Sequence, residues 1–161
     1  MLSCDCCMAS YIMPGMDKQV TIIGGGLAGC EAAWRLSKAS VPVKLYEMKP
    51  HKTSPAHSSA NLAELVCSNS FRSDDPNSAV GLLKSEMRRM GSLLMEAAEQ
   101  TKVPAGKALA VDRKRFSAFV TAEIESAPTI EMIREEVVSL DTDEIVIVAA
   151  GPLASNSLTD A

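Results

Sequence analysis

The chain has 161 residues, 47% of them hydrophobic, 22% charged and 4% aromatic, with a formal net charge of −4. This is enough apolar material for the core of one ordinary domain, and no apolar run is long enough to span a bilayer, so wholesale disorder and a membrane-embedded chain are excluded. Scarce aromatics remove the stacking platforms of many RNA binders, and the acidic balance does not by itself suggest a nucleic-acid partner.

The first sixteen residues, MLSCDCCMASYIMPGM, are rich in Met and Cys and read as an atypical extension before the domain that begins near residue 17. The crowded CDCC lacks the spacing of a zinc site, so no metal site is expected. Residues 19–23, QVTII, are β-branched and apolar and stop at glycine, which predicts a buried strand. GGGLAGCEAAWRLSKA then opens with glycines and continues as a helix to about Ser40, and VPVKLYE at 41–47 is a second strand with Pro42 at its start. Strand, glycine turn, helix, strand in so short a span is a βαβ unit, hence an α/β fold with a parallel sheet.

Residues 48–75 carry prolines, serines and asparagines without a sustained period, the pattern of a long, motion-prone loop of the functional kind. Val80, Leu83, Met87, Met90, Leu94 and Ala97 predict one helix over about 78–100, irregular near Gly91, with its Met-rich stripe packed in the core. KVPAGKALAVD reads as an extended or turn-rich connector. Asp112 then caps a helix to about Ser126 with Phe116, Phe119, Val120 and Ile124 inward. TIEMIREEVVSL suggests one or two strands, and DEIVIVAAGP another buried strand running into Gly151. The basic clusters Arg88-Arg89 and Arg113-Lys114-Arg115 read as solvated helix faces.

Five cysteines, Cys4, Cys6, Cys7, Cys30 and Cys67, form no even disulfide framework, and the start lacks a secretory pattern. Reduced thiols in the cytoplasm are expected. Cys30 reads as helix packing.

Gly24-Gly25-Gly26-Leu27-Ala28-Gly29 contains G-x-G-x-x-G, here between a strand and a helix as dinucleotide binding requires. Gly24 permits the tight turn, Gly26 lets the backbone approach a pyrophosphate, and Gly29 lets helix and strand pack closely. Glu47, seventeen residues beyond Gly29, is placed to accept hydrogen bonds from adenosine ribose hydroxyls. These features suit FAD and NAD alike. The late strand ending in Ala149-Ala150-Gly151 resembles the turn that passes close to FAD in two-dinucleotide flavoproteins.

VTIIGGGLAGCEAAWRLS, VKLYEMKP, SPAHSSANLAELVCSNSFRSDDPNSAVGLLKSEMR, VPAGKALAVDR and IVAAGPLASNSL together resemble the folate- and FAD-dependent tRNA uracil-5-methyltransferases, over roughly residues 18–161. The resemblance implies a Rossmann-like FAD-binding domain, incomplete at its C-terminus because family members are far longer. It also implies NAD(P)H as reductant, 5,10-methylenetetrahydrofolate as carbon donor, and tRNA as the partner that receives a 5-methyluridine in its T loop. Cys67, in ELVCSNSFRS, matches a cysteine with a catalytic role in the family. A thiolate suits addition at uracil C6, which pushes electron density onto C5, or transient covalent trapping near the flavin. The alternatives are a GidA-like flavoprotein that modifies the tRNA wobble uridine, an oxidoreductase of the broader flavoprotein group, and a non-catalytic FAD-binding remnant.

Overall fold

The structure, a computed structural model, describes residues 18–140 and 145–160. The extension at 1–16 lies outside the described residues. Four strands, β1 (Val20–Ile23), β2 (Val43–Tyr46), β6 (Ile130–Ile133) and β7 (Ile145–Val148), form one parallel sheet in the order β6-β2-β1-β7. The crossover from β1 to β2 is α1 (Leu27–Lys38), so the predicted βαβ unit is present. Val20, Ile22, Val43 and Leu45 are buried beneath α1, whose inward positions Gly29, Cys30 and Ala33 are small. Small residues there let the helix lie close to the sheet.

The segment between β2 and β6 builds a second layer. It supplies β3 (Ser70–Ser73), α2 (Ala79–Arg89), α3 (Leu93–Gln100), β4 (Lys102–Val103), β5 (Ala108–Val111) and α4 (Arg113–Ser126). Strands β3, β5 and β4 make an antiparallel sheet in that order, so the expected connector KVPAGKALAVD is instead a hairpin. Leu109 and Val111 from that hairpin are fully buried. The end of the chain forms a 3-10 turn at Gly151–Leu153 and a short helix, α5 (Asn156–Thr159).

Asp112 caps α4 as expected: its carboxylate accepts from the backbone N–H groups of Lys114 and Arg115, both at 3.0 Å. Phe116, Val120 and Ile124 then fall on one buried face at four-residue steps, with Phe119 half-buried beside them. The Phe116 ring meets Phe71 at 5.4 Å between centroids.

Three expectations are corrected. The single helix over 78–100 is two helices, because Gly91 adopts a left-handed φ of +71° and Ser92 starts a new helix. Ser92 accepts from the Met95 N–H at 3.3 Å and donates to the Glu31 carboxylate at 2.8 Å. The apolar stripe is therefore core mainly in its second half: Leu94 and Ala97 are buried and Met87 packs partly buried against the core, whereas Val80, Leu83 and Met90 are exposed. The strand β7 is likewise not buried. It is the edge of the four-stranded sheet, with Ile145, Ile147 and Val148 exposed. Residues 130–140 hold one strand, β6, among the described residues. No helix among them is long and apolar enough to cross a membrane.

Replacing Asp112 with Ala leaves two first-turn N–H groups without their carboxylate acceptor. We expect a loss of about 1 kcal/mol in urea unfolding, with an unchanged dependence on denaturant. An unchanged midpoint contradicts the capping role.

Candidate dinucleotide cleft and the Cys67 loop

Each glycine of the turn meets a different constraint. Gly24 has a φ of +109°, and a Cβ built there would sit 2.7 Å from the Ala150 Cα, so the turn is threaded tightly against the strand-end at Ala149-Ala150. A Cβ on Gly29 would collide with the Gly24 carbonyl oxygen, which fixes how closely α1 approaches β1. Gly26 is the opposite case. It is exposed, and nothing lies within 4 Å of its Cβ position. Gly26 also starts α1 with no side-chain cap, and the first turn holds no acid. Unmet N–H groups and the positive end of the helix dipole thus face open space, the arrangement that accepts a phosphate.

Glu47 follows directly on β2 and is 7% exposed. One carboxylate oxygen accepts from the Gly25 N–H at 2.9 Å, and the other accepts from the Lys49 N–H at 3.0 Å. The acid therefore joins the end of β2 to the glycine turn. A cleft of about 300 Å³ opens beyond the C-terminal ends of β1, β2 and β7. Of the residues singled out in the sequence, Gly24, Gly25, Gly26, Leu27, Ala28, Glu47 and Gly151 line it. Gly29 lies behind it, packed against Gly24. This is where ligands bind in open α/β sheets.

Cys67 is exposed and lies beside the cleft rather than among its lining residues. Its neighbour Val66 lines both the cleft and a second cavity of about 730 Å³ that also touches Arg113 and Lys114. The loop that carries it is better anchored than its composition suggested. Leu62, Ala63 and Leu65 are buried, the Ala63 N–H donates to the Gly25 carbonyl at 2.8 Å, and the Leu62 N–H donates to the Thr121 hydroxyl at 2.9 Å.

Three charged residues that sequence reasoning missed complete this anchoring. Lys49, 2% exposed, donates from Nζ to the Asn61 carbonyl at 2.6 Å and pairs with Glu64 at 3.4 Å. Arg134 donates to the Ala60 and Lys49 carbonyls at 2.7 and 3.3 Å. Glu64 also accepts from the Ser58 hydroxyl and N–H. Burial pushes the Glu64 carboxyl up, but the Ser58 donors and the Lys49 ammonium outweigh it and hold it below the ordinary carboxylate range. The partners of Lys49 and Glu64 lie within the same loop and the carbonyl partners of Arg134 lie 74 and 85 residues away, and none follows a period, so only the periodicity-free loop itself hinted at them.

The two described thiols differ sharply. Cys30 is fully buried in α1, with its S–H towards the Gly25 carbonyl at 3.4 Å. Burial, aided by the Glu47 charge, pushes its pKa up to about 12, so it stays protonated and inert near neutrality.

Residues 19–159 match the family described as glucose inhibited division protein A. A methylenetetrahydrofolate--tRNA-(uracil-5-)-methyltransferase TrmFO from Nitratidesulfovibrio vulgaris is 61% identical over 144 residues, covering 86% of this chain and 30% of that protein. The protein of the same name from Oleidesulfovibrio alaskensis is 59% identical over 143 residues, covering 86% of this chain and 32% of that protein. The chain thus spans about a third of the length of the curated relatives it matches. Among solved structures, the peptidyl tryptophan dihydroxylase QhpG matches with a TM-score of 0.50 at 16% identity, covering 86% of this chain and 33% of that one. That likeness is one of fold.

Brief iodoacetamide treatment of the native chain, followed by peptide mapping, is expected to label Cys67 and to spare Cys30 until urea is added. Equal labelling of both contradicts the burial of Cys30. The same burial has a pH signature. Below the ordinary thiol value of 9.0 both states hold the proton; above it the unfolded thiol ionises while the folded one does not until about 12. Stability should therefore fall from pH 9 upward, and less steeply in Cys30→Ala.

Proposed function

This chain belongs to the glucose inhibited division protein A family, and we propose that it is the dinucleotide-binding part of a methylenetetrahydrofolate--tRNA-(uracil-5-)-methyltransferase. The observation that carries the reading is identity of 55–61% to proteins of that name across one stretch that holds both the glycine turn and the Cys67 loop. The cofactor of the cleft is FAD. The residues present suit it: Gly26 leaves its Cβ space open, and the first turn of α1 offers unmet N–H groups with no competing acid.

In this reading the backbone at Gly26, Leu27 and Ala28 receives the pyrophosphate. Glu47 accepts from the ribose hydroxyls while keeping its grip on the turn, since a carboxylate has about four lone-pair sites and the chain itself occupies two. Gly151, with a φ of +65° and no side chain, lets the backbone near β7 lie close to the cofactor. Bound FAD, recharged by NAD(P)H, supplies the electrons that turn a one-carbon unit from 5,10-methylenetetrahydrofolate into a methyl group. Cys67 is the catalytic thiol. Its exposure admits a pyrimidine; sulfur addition at C6 raises electron density at C5, the carbon accepted there replaces the C5 proton, and elimination of the thiol restores the C5–C6 double bond. Lys49, Glu64 and Arg134 hold the loop that presents it. The substrate is a uridine in the T loop of tRNA.

Two measurements test this. The purified chain should retain flavin, and Glu47→Gln should weaken FAD binding by tenfold or more, roughly 1.5–3 kcal/mol for a lost charged hydrogen bond. Wild-type affinity in that variant removes Glu47 from the site. A chimera carrying residues 18–160 in place of the matching part of the Nitratidesulfovibrio vulgaris relative should methylate unmodified tRNA given the folate donor and reductant. Cys67→Ser in that chimera should keep flavin and lose most methyl transfer; an unchanged rate refutes the catalytic assignment.

A further inference from the structure

We propose that the first turn of α4, Arg113-Lys114-Arg115, is a docking surface for the phosphate backbone of a polynucleotide, placed beside Cys67. The inference rests on the tRNA reading above and deepens it. Its starting point is the unequal fate of the two basic clusters. On α2, Arg88 is paired with Asp74 at 2.8 Å and Glu99 at 2.6 Å, which leaves Arg89 as that cluster's single cation without an ion pair among the described residues. No carboxylate among the described residues forms an ion pair with Arg113, Lys114 or Arg115, and all three are exposed.

The position is unfavourable for cations on its own terms. A helix N-terminus carries the positive end of the dipole, so three successive cations there cost stability. The adjacent acid, Asp112, whose Oδ1 accepts from the backbone N–H groups of Lys114 and Arg115, offsets one of these charges and leaves an excess of two. Across the second cavity Glu64 is likewise engaged, by Ser58, Ser59 and Lys49. An external polyanion would relieve this uncompensated charge.

Geometry ties the same turn to the thiol. Arg113 donates from Nη1 to the Leu65 carbonyl at 3.4 Å. Two residues past Cys67, Asn69 exchanges hydrogen bonds with Val111: its carbonyl accepts from the Val111 N–H at 2.9 Å, and its side-chain amide donates to the Val111 carbonyl at 3.2 Å. The Leu65–Asn69 segment is thus held at both ends to residues 111–113, with Cys67 at its middle. Arg113 and Lys114 line the 730 Å³ cavity together with the polar groups of Ser58, Ser59, Asn61 and Ser117. Exposed cations at a cavity that Asp112 and Glu64 also line, next to an exposed thiol, fit a strand whose phosphates are held while one base reaches the sulfur. The chain's net charge of −4 makes this a local attraction, not a general one.

The test is binding of an unmodified tRNA transcript to the 161-residue chain over a range of salt. Lys114 and Arg115 make no side-chain hydrogen bond among the described residues, so Lys114→Gln/Arg115→Gln leaves the fold intact. This double variant should bind more weakly, with a slope of log K against log salt shallower by about 1.5. Lys114→Arg/Arg115→Lys should bind as wild type does. A control of equal charge loss, Lys18→Gln/Arg89→Gln, should leave the slope nearly unchanged. Absence of binding by the wild-type chain, or an unaltered slope in the double variant, overturns the proposal. So does displacement of the transcript by an equal charge concentration of oligo-glutamate, since the surface would then suit an acidic peptide. Flavin retention, measured on the same preparations, reports separately on the cofactor reading and should not change in any variant.

Discussion

The backbone of Gly25 is the point at which the site is assembled. Its N–H is held by the Glu47 carboxylate at 2.9 Å, and its carbonyl accepts from the Ala63 N–H at 2.8 Å. One residue thereby joins the end of β2, the entry to α1 and the loop that leads to Cys67. A side chain at Gly25 would strike Leu62 and the Glu47 carboxylate itself, so the junction requires glycine. Because the N–H and carbonyl point to partners on different elements, an error in any one of them leaves a buried polar group unmatched. The position of the Cys67 loop is thus coupled to the same turn that shapes the cleft.

What was legible in the sequence was local. The unit from Val20 to Glu47 is contiguous, each element carries its own signal, and the glycine pattern joins strand to helix in a way few other structures demand. The Asp112 cap was legible for the same reason, since donor and acceptor lie within three residues. The helix break was only half legible: Gly91 marks the place, but the partner that makes Ser92 a new start is Glu31, sixty-one residues away. The hairpin of β4 and β5 was missed because β4 has two residues and the turn holds Pro104, which reads as a breaker. Lys49 and Glu64 were invisible because their partners lie in the same loop at spacings that follow no period, and Arg134 because its carbonyl partners lie on a segment that meets β6 only after the sheet has formed.

Periodicity misled where it was asked about burial. It identifies which face of a helix or strand is apolar, and it did so correctly for α2. It does not say whether another element covers that face. Val80, Leu83, Met87 and Met90 share a stripe with Leu94 and Ala97, yet α3 turns its half into the core while α2 packs only Met87 against it and leaves Val80 and Leu83 exposed. The strand β7 makes the same point for sheets: an apolar run is buried only if strands or helices lie beyond it, and here it is an edge.

The two described cysteines show how position converts one chemical group into two. Both sit within a few residues of the Gly25 junction in space or along the loop it anchors, and both are free thiols. Cys30 faces the helix–sheet interface, where an ionised sulfur would lose its hydration and lie near the Glu47 charge, so its proton is held and its role is volume. Cys67 stands on the solvent side of a loop whose ends are tied down. A thiol that is exposed on an anchored loop is open to solvent, and the anchoring limits the positions it can take. The anchoring thus has a positional consequence: a freely moving loop would expose the same sulfur but would not keep it between the cleft and the first turn of α4.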